Sequence, residues 1–427
     1  MRNRHRLIVW ILLLLAAAEF VARGPLRYLH PTNWNDLAQY YATSRLWLRG
    51  QNFADPENFA ALWRNEVGET LGANTVRVRI APPPGTLVIF APFAALSWPA
   101  AKFVWLLALL LAFAATICCM IRYARLSVDE PRTLLFIAGC LALAPFHTGF
   151  GTGNQTILVV GCCAAGVYAA AAERDTIAGL FFGVACSLKP HIGAFLVVFY
   201  VLRGRWRLLV SAVGFATALV LVAVARMRVV GVHWFADYVS NIQFAAARNR
   251  IDDFTTANPI RFMLINLQVP FFSFTHNAKS ANLLAFAIGG ILILIWTFFV
   301  LRNRSEKSEL LALATVAVIG LLPLYHRLYD ASILAIPLCW CVTSLDELKA
   351  VARVSLLLMA PFLAPGAALL QEASRRGHIS SIWSQSWWWD RLLMPHQTWL
   401  LLLLAAAMLY GMGTSRVENE TNPLVRS

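Results

Sequence analysis

Residues 102–121 read KFVWLLALLLAFAATICCMI, a run whose only charged residue is the Lys at its start. An α-helix rises about 1.5 Å per residue, so about 20 apolar residues cross the ~30 Å hydrocarbon core of a membrane. Arg122 and Arg125 follow the run at once. The stretch therefore predicts a transmembrane helix, and it decides the fold class.

Similar apolar runs recur along the whole chain. Hydrophobic residues make up 59% of the sequence and charged residues 14%, against about 25% charged residues in soluble domains. We therefore predict an all-α integral membrane protein, a single polytopic domain over residues 1–427 with about 12 transmembrane helices. The predicted crossings are 7–21, 102–121, 133–147, 154–172, 176–188, 190–202, 207–225, 281–301, 309–325, 329–344, 351–370 and 396–413.

Some of these runs are too short to complete a crossing. Residues 133–147 and 176–188 indicate helices that end below the membrane surface, around a cavity. Residues 85–98, which follow Pro82-Pro83-Pro84, predict a re-entrant or partly inserted helix. The basic start of the chain could belong to a signal peptide, but Glu19 and Phe20 stand where the cleavage site would fall. We favour an uncleaved first helix.

Arginines and lysines cluster in alternate short loops, which orients the chain. This pattern predicts a multi-pass protein of the cytoplasmic (inner) membrane, with the N-terminus and the tail 415–427 in the cytoplasm. Three longer connections then lie on the periplasmic or extracellular face. They are a first outer loop 22–84, a second outer loop 226–280 and a Trp-rich loop 372–395.

The net charge of +14 predicts membrane lipids and phosphate ligands as partners, and not nucleic acid, because the basic residues are scattered through membrane loops. All eight cysteines lie in apolar runs without CxxC spacing, so they read as buried hydrophobes. We expect no metal and no cofactor. Nucleotide-driven pumping has no motif here, since G-x-x-x-x-G-K-[ST] and GxGxxG are both absent.

Residues 36–48 carry apolar side chains at helical spacing and end before Gly50, which predicts an amphipathic helix on the membrane surface. Asp36 opens that helix. It could act as a general base that takes a proton from a sugar hydroxyl, or it could simply cap the helix.

Further polar residues stand at the predicted outer ends of helices: Asn154 and Gln155; Lys189 and His191; His326 and Asp330. Ionisable groups at membrane depth tend to be functional. Lys189 precedes the helix breaker Pro190 and could hold a phosphate, or it could snorkel to the interface. His326 and Asp330 share a helix face and could bind a phosphate or hydroxyl, or cap the tenth helix.

Two other groups of residues allow both a functional and a structural interpretation. Arg77 and Arg79 point the same way in an extended chain before Pro82, so they could clamp a phosphate or bind lipid head groups beside a rigid turn. Trp383, Trp387, Trp388 and Trp389 favour an interfacial aromatic belt, with a platform for stacking sugars as the alternative.

The order of these features resembles glycosyltransferase family 87, also described as domain of unknown function 2029. The similarity covers roughly residues 30–345, and its pieces are Asp36 with Tyr40-Tyr41 and Gly50; Ala81-Pro-Pro-Pro84 with Phe90-Ala-Pro-Phe93; Gly153-Asn-Gln155; Ala178-Gly-Leu180 with Gly183 and Lys189-Pro190; and His326 with Tyr329-Asp330. One departure is that Pro82 stands where Tyr is more usual, so no role is carried onto position 81.

The resemblance implies a GT-C fold and a membrane glycosyltransferase that uses a polyprenyl-phosphate sugar donor and inverts the anomeric centre. Asp36 would be the base, and Lys189 and the His326 region would lie near the donor phosphate. The sugar would be a hexose, with mannose as one candidate, and the acceptor a lipid or glycan. Tyr40, beside Asp36 on the same helix, is a further candidate for substrate binding. A transporter or flippase of a lipid-linked or anionic substrate, and a non-catalytic scaffold, are the competing functions.

Overall fold

A computed structural model of the chain describes residues 2–30, 36–68, 81–245, 247, 249–250, 252–303, 305 and 308–421. The α-helices of these residues begin with α1 (Arg2–Arg23), α2 (Pro25–Leu29), α3 (Asp36–Leu48), α4 (Pro56–Leu62), α5 (Pro84–Ala94), α6 (Trp98–Tyr123), α7 (Pro131–Ala142), α8 (Ala144–Thr152), α9 (Thr156–Ala171), α10 (Asp175–Leu188) and α11 (Pro190–Leu202). They continue with α12 (Trp206–Val229), α13 (Phe235–Ala245), α14 (Gln268–Thr275), α15 (Ala278–Arg302), α16 (Glu309–Gly320), α17 (Ala335–Thr343), α18 (Lys349–Met359), α19 (Ala367–Arg375), α20 (Ser381–Ser384) and α21 (His396–Thr421). Short 3-10 segments cover Arg261–Met263, Leu328–Leu334 and Ala360–Leu363.

The predicted crossings fall on helical stretches, some of which are broken into two or three elements, and the all-α prediction holds throughout the described residues. The number of about 12 crossings stays a prediction. Six helical segments there are long and apolar enough to span a membrane, or seven if the bent pair α7–α8 forms one span. The other predicted crossings correspond to α9, α10, α11, α16 and the run Leu328–Thr343, which are shorter apolar helices. The protein is therefore a multi-pass membrane protein with two kinds of apolar helix: those long enough to span a membrane, and shorter ones.

The two kinds of helix occupy different places. Only 17% of the best apolar window of α12 and 22% of that of α15 are buried inside the protein, so these long helices turn most of their apolar surface outward. In α16, by contrast, every residue from Leu311 to Gly320 is buried. A helix that is apolar all round and buried belongs to the interior of a bundle. The short helices thus form the core, with long helices around them.

Small residues let the core helices approach closely. A Cβ atom on Gly179 of α10 would lie 2.5 Å from the Leu208 carbonyl oxygen of α12, closer than such atoms come in proteins. Close backbone contact at small residues is a main source of helix association where lipid replaces water. Gly179 therefore fixes α10 against α12, and with it the position of the residue that follows α10.

α3 spans the predicted residues, but its packing differs from the prediction. Most of its side chains are buried, including those of Leu37, Ala42 and Leu46. The indole of Trp47 donates to the Ala223 carbonyl of α12 at 3.0 Å, and Gly50 ends the turn after the helix with φ +68°. The interpretation of α3 as an amphipathic helix on the membrane surface was wrong, because its apolar residues pack against other helices of the protein.

Candidate active site

Five elements meet at one end of the bundle, which we call the site end. There α3, α9 and α11 begin, α10 ends, and the stretch 321–330 passes between α16 and α17.

The first contact of the site joins α3 to α9. The Asn154 side-chain amide donates to the Asp36 carboxylate at 2.8 Å, and its oxygen accepts from the Thr156 backbone N–H at 3.0 Å and from the Thr156 hydroxyl at 2.7 Å. Asn154 therefore fixes one oxygen of Asp36, which stays partly exposed to solvent.

Asp330 is the centre of the same hydrogen-bond network. Its Oδ1 accepts from Lys189 Nζ at 2.6 Å and lies 2.8 Å from the Thr156 hydroxyl, whose single proton is shared with the Asn154 oxygen. Its Oδ2 accepts from the Arg327 backbone N–H at 3.1 Å and lies 3.3 Å from His326 Nδ1. The side chain has no exposed surface. A buried carboxylate is tolerated when charge and hydrogen bonds surround it in this way.

Lys189 occupies the break between α10 and α11 that Pro190 was predicted to cause, since α10 ends at Leu188 and α11 begins at Pro190. Lys189 is only 7% exposed, so it does not snorkel to an interface. Its ammonium lies 4.5 Å from the centre of the Tyr329 ring and pairs with Asp330. The predicted cation is at the site, with its charge already balanced by a carboxylate.

His191 and His326 pack ring against ring beside this ion pair, with their centroids 4.8 Å apart. His326 Nε2 lies 3.1 Å from the Gly320 carbonyl oxygen, whereas the buried Nε2 of His191 has no hydrogen-bond partner within the described part of the chain. Ligand atoms of the two histidines and Asp330 lie within 4.8 Å of one another, so they could hold a metal ion. The ammonium of Lys189 on the same carboxylate would repel a divalent cation, which favours a binding site for an anion or a hydroxyl.

The remaining predicted site residues have different positions. The Tyr40 ring stacks on Phe90, with the ring centroids 4.8 Å apart. Its hydroxyl interacts electrostatically with the carboxylates of Asp36 and Asp330. Gln155 donates to the Leu188 carbonyl at 3.1 Å, so it braces the end of α10. Arg77 and Arg79 lie outside the described residues.

The tryptophans of the Trp-rich loop lie at the site end and differ in exposure. Trp389 is buried, Trp388 is partly buried, and Trp383 and Trp387 are largely exposed. The neighbouring Asp390 forms an ion pair of 2.9 Å with Arg261 of the 3-10 segment Arg261–Met263, which ties the Trp-rich loop to the segment 226–280. Exposed and buried tryptophans in one loop are compatible with both interpretations given above.

Sequence reasoning missed a second group beside Asp36. It comprises Arg327, Tyr325 and Asp252. The Tyr325 hydroxyl interacts with both the Arg327 guanidinium and the Asp252 carboxylate. Arg327 also interacts electrostatically with Asp36. Burial raises the pKa of Asp252 to about 6, against the opposing effect of Arg327. The one available signal was an acidic pair, Asp252-Asp253, within a basic loop.

The segment 226–280 is folded against the stretch that carries Arg327. Leu264 forms an antiparallel bridge with Arg327, the Ile265 N–H donates to the His326 carbonyl at 3.0 Å, and the Leu267 N–H donates to the Leu322 carbonyl at 2.9 Å. This segment, which the sequence predicted only as an outer loop, therefore forms one wall of the site.

Comparison with known proteins gives one match. A family model described as glycosyltransferase family 87 matches residues 82–325, which include Asn154, Lys189 and Asp252, while Asp36 precedes the matched stretch and Asp330 follows it. No curated protein and no solved structure matches the chain. The match covers more than half of the 427 residues and confirms the resemblance seen in the sequence motifs. The chain belongs to glycosyltransferase family 87.

Proposed function

We propose that this glycosyltransferase moves a hexose, with mannose as one candidate, from a polyprenyl-phosphate donor to a lipid or glycan acceptor. The observation that carries the proposal is the pairing of Asp36 with Asn154 next to a cluster of buried cations and histidines. A carboxylate that is oriented on one oxygen and partly exposed suits a general base. Cations and N–H donors beside it suit the phosphate leaving group.

The reaction is a single displacement. The acceptor hydroxyl oxygen attacks the anomeric carbon of the sugar from the face opposite the phosphate, while the bond between that carbon and the phosphate oxygen breaks. The hydroxyl proton passes to Asp36, and the bonding electrons leave with the polyprenyl phosphate. One attack from the opposite face inverts the anomeric centre. Because the phosphate is a good leaving group, the step requires no metal and no cofactor.

We also propose the architecture that this chemistry needs. In a GT-C-type bundle of about 12 membrane helices, the short helices α9, α10, α11 and α16 would end within the membrane and leave room for a lipid head group. The basic loops favour the cytoplasmic membrane, with the site on the periplasmic or extracellular face. Membrane lipids would surround the long outer helices.

Replacing the base tests the proposal. In lipid nanodiscs with polyprenyl-phosphate mannose as donor, we expect Asp36→Asn to lower the rate of sugar transfer roughly 100- to 10,000-fold, because the acceptor hydroxyl loses its proton acceptor. Donor binding and thermal stability should stay near wild type. Asp55→Asn, which changes an exposed helix cap at the same end of the bundle, is the control. Full transfer by Asp36→Asn would overturn the assignment of the base, and donor flux without covalent turnover in the wild type would favour a flippase instead.

A further inference from the structure

Arg327 is a cation whose charge is not balanced at close range. Among the described residues, its buried Nε has no hydrogen-bond partner and its guanidinium forms no ion pair within 4 Å. Asp36 and Asp252 act on it only from beyond that distance. Removing a charge from water without a direct partner is costly unless a ligand supplies the partner.

Lys189 differs from Arg327 in this respect. Its ammonium lies 2.6 Å from Asp330, inside a fully enclosed carboxylate network. An anion that bound Lys189 would have to displace Asp330 or share the ammonium with it. Arg327 offers a planar fork of N–H donors that matches two oxygens of a phosphate at once. Of these two cations, Arg327 is therefore the one suited to accept an incoming anion.

Asp252 approaches Arg327 from the segment 226–280. The bridge between Leu264 and Arg327 fixes that segment to the site, and the Tyr325 hydroxyl lies between Asp252 and the guanidinium. Among the described residues, Asp252 and Asp36 are carboxylates that offset the positive charge of Arg327. An arriving phosphate would bring a further negative charge into the same field, so Asp252 would oppose its binding.

From these contacts we infer that Arg327 anchors the phosphate of the donor and of the leaving polyprenyl phosphate, and that Asp252 is the carboxylate with which this phosphate competes. The inference rests on the proposed function and deepens it by naming the anion-binding residue. Asp252 keeps the affinity for the phosphate moderate. The consequence is that polyprenyl phosphate can leave the site once the sugar has been transferred.

The test measures the affinity of the full-length protein in nanodiscs for a short-chain polyprenyl phosphate without sugar. Arg327→Gln should weaken binding about 10- to 100-fold, since a charge-assisted bidentate contact is lost. Arg327→Lys should fall between Arg327→Gln and the wild type. Asp252→Asn should tighten binding, on the order of tenfold, because a repelling charge is removed.

Matched controls change charge elsewhere. Asp237→Asn removes an exposed carboxylate in the same segment, and Arg375→Gln removes an exposed arginine of α19. Neither should alter the affinity. Opposite effects of the Arg327 and Asp252 variants cannot arise from misfolding, because damage to the fold does not tighten binding. Unchanged affinity in Arg327→Gln, or weaker binding in Asp252→Asn, would overturn the inference.

Two further measurements, phosphate binding and sugar transfer, separate this inference from the proposed function. If inorganic phosphate shows the same dependence on Arg327 and Asp252, the site recognises the phosphate itself and the inference holds. If polyprenyl phosphate binds as expected while no sugar is transferred, the inference stands and the proposed function fails. If sugar is transferred but neither variant changes the affinity, the proposed function stands and Arg327 is not the anchor.

Discussion

Asp36 and Asp330, the two carboxylates of the site, are joined through Asn154 and Thr156. Their surroundings differ, because Asp330 is enclosed by Thr156, Lys189, His326 and the Arg327 backbone, whereas Asp36 remains partly exposed. A group that must exchange a proton with a substrate has to be reachable. This difference favours Asp36 as the proposed base, while the contacts of Asp330 join Thr156, Lys189 and His326.

The buried pair of Lys189 and Asp330 leads to a prediction about stability. Lys189→Met leaves a buried carboxylate without its cation and should lower the free energy of unfolding by about 3–5 kcal/mol. The double variant Lys189→Met/Asp330→Asn removes both charges and should regain most of that loss. Thermal unfolding of the purified variants in detergent checks this. A double variant as unstable as the sum of both single variants would show that the pair does not act as a unit.

The sequence predicted which residues form the site better than it predicted their contacts. Asp36, Asn154, Lys189, His326 and Asp330 were identified because each is polar and stands at the end of an apolar run. That Asp330 balances Lys189 depends on how helices 141 residues apart pack together, which no local pattern encodes. Asp252 was missed because an acidic pair in a basic loop is only a weak local signal, and its position near Arg327 depends on how the segment 226–280 folds back.

At the scale of helices, the breaks were the most predictable features. Pro190 separates α10 from α11, and Gly50 ends the turn after α3, because each has a backbone requirement that the sequence displays. The environment of α3 was not predictable in the same way. A face apolar enough to lie in lipid is equally suited to pack on protein, and the partners of Trp47 lie on α12, far along the chain.

Contact between α10 and α12 leads to a prediction about helix packing. Gly179→Val would place side-chain atoms against the Leu208 carbonyl, so α10 must move, and we expect a loss of about 3 kcal/mol in stability. Sugar transfer should fall as well, because Lys189 directly follows α10. Gly214→Val on α12 is a matched control, since nothing lies within 4 Å of its added Cβ. If both variants have the same melting temperature, the close contact does not matter for stability.

The whole molecule is asymmetric along its helices. The ion pair of Lys189 and Asp330 and the hydrogen bond from Asn154 to Asp36 lie at the site end, and the segments 226–280 and 372–395 are joined there by the ion pair of Arg261 and Asp390. At the opposite end, short turns carry basic residues such as Arg205, which pairs with Asp175. Basic short loops face the cytoplasm in most membrane proteins, so the asymmetry predicts the orientation of the chain.

Labelling of single cysteines tests that orientation. In a background without the eight native cysteines, His378→Cys marks the exposed turn after α19 at the site end, and Arg207→Cys marks the exposed start of α12 at the opposite end. On intact cells, a membrane-impermeant maleimide should label position 378 and should label position 207 only after permeabilisation. The reverse pattern would place Asp36 and Arg327 on the cytoplasmic side. A donor presented on the external face could then not reach the proposed base.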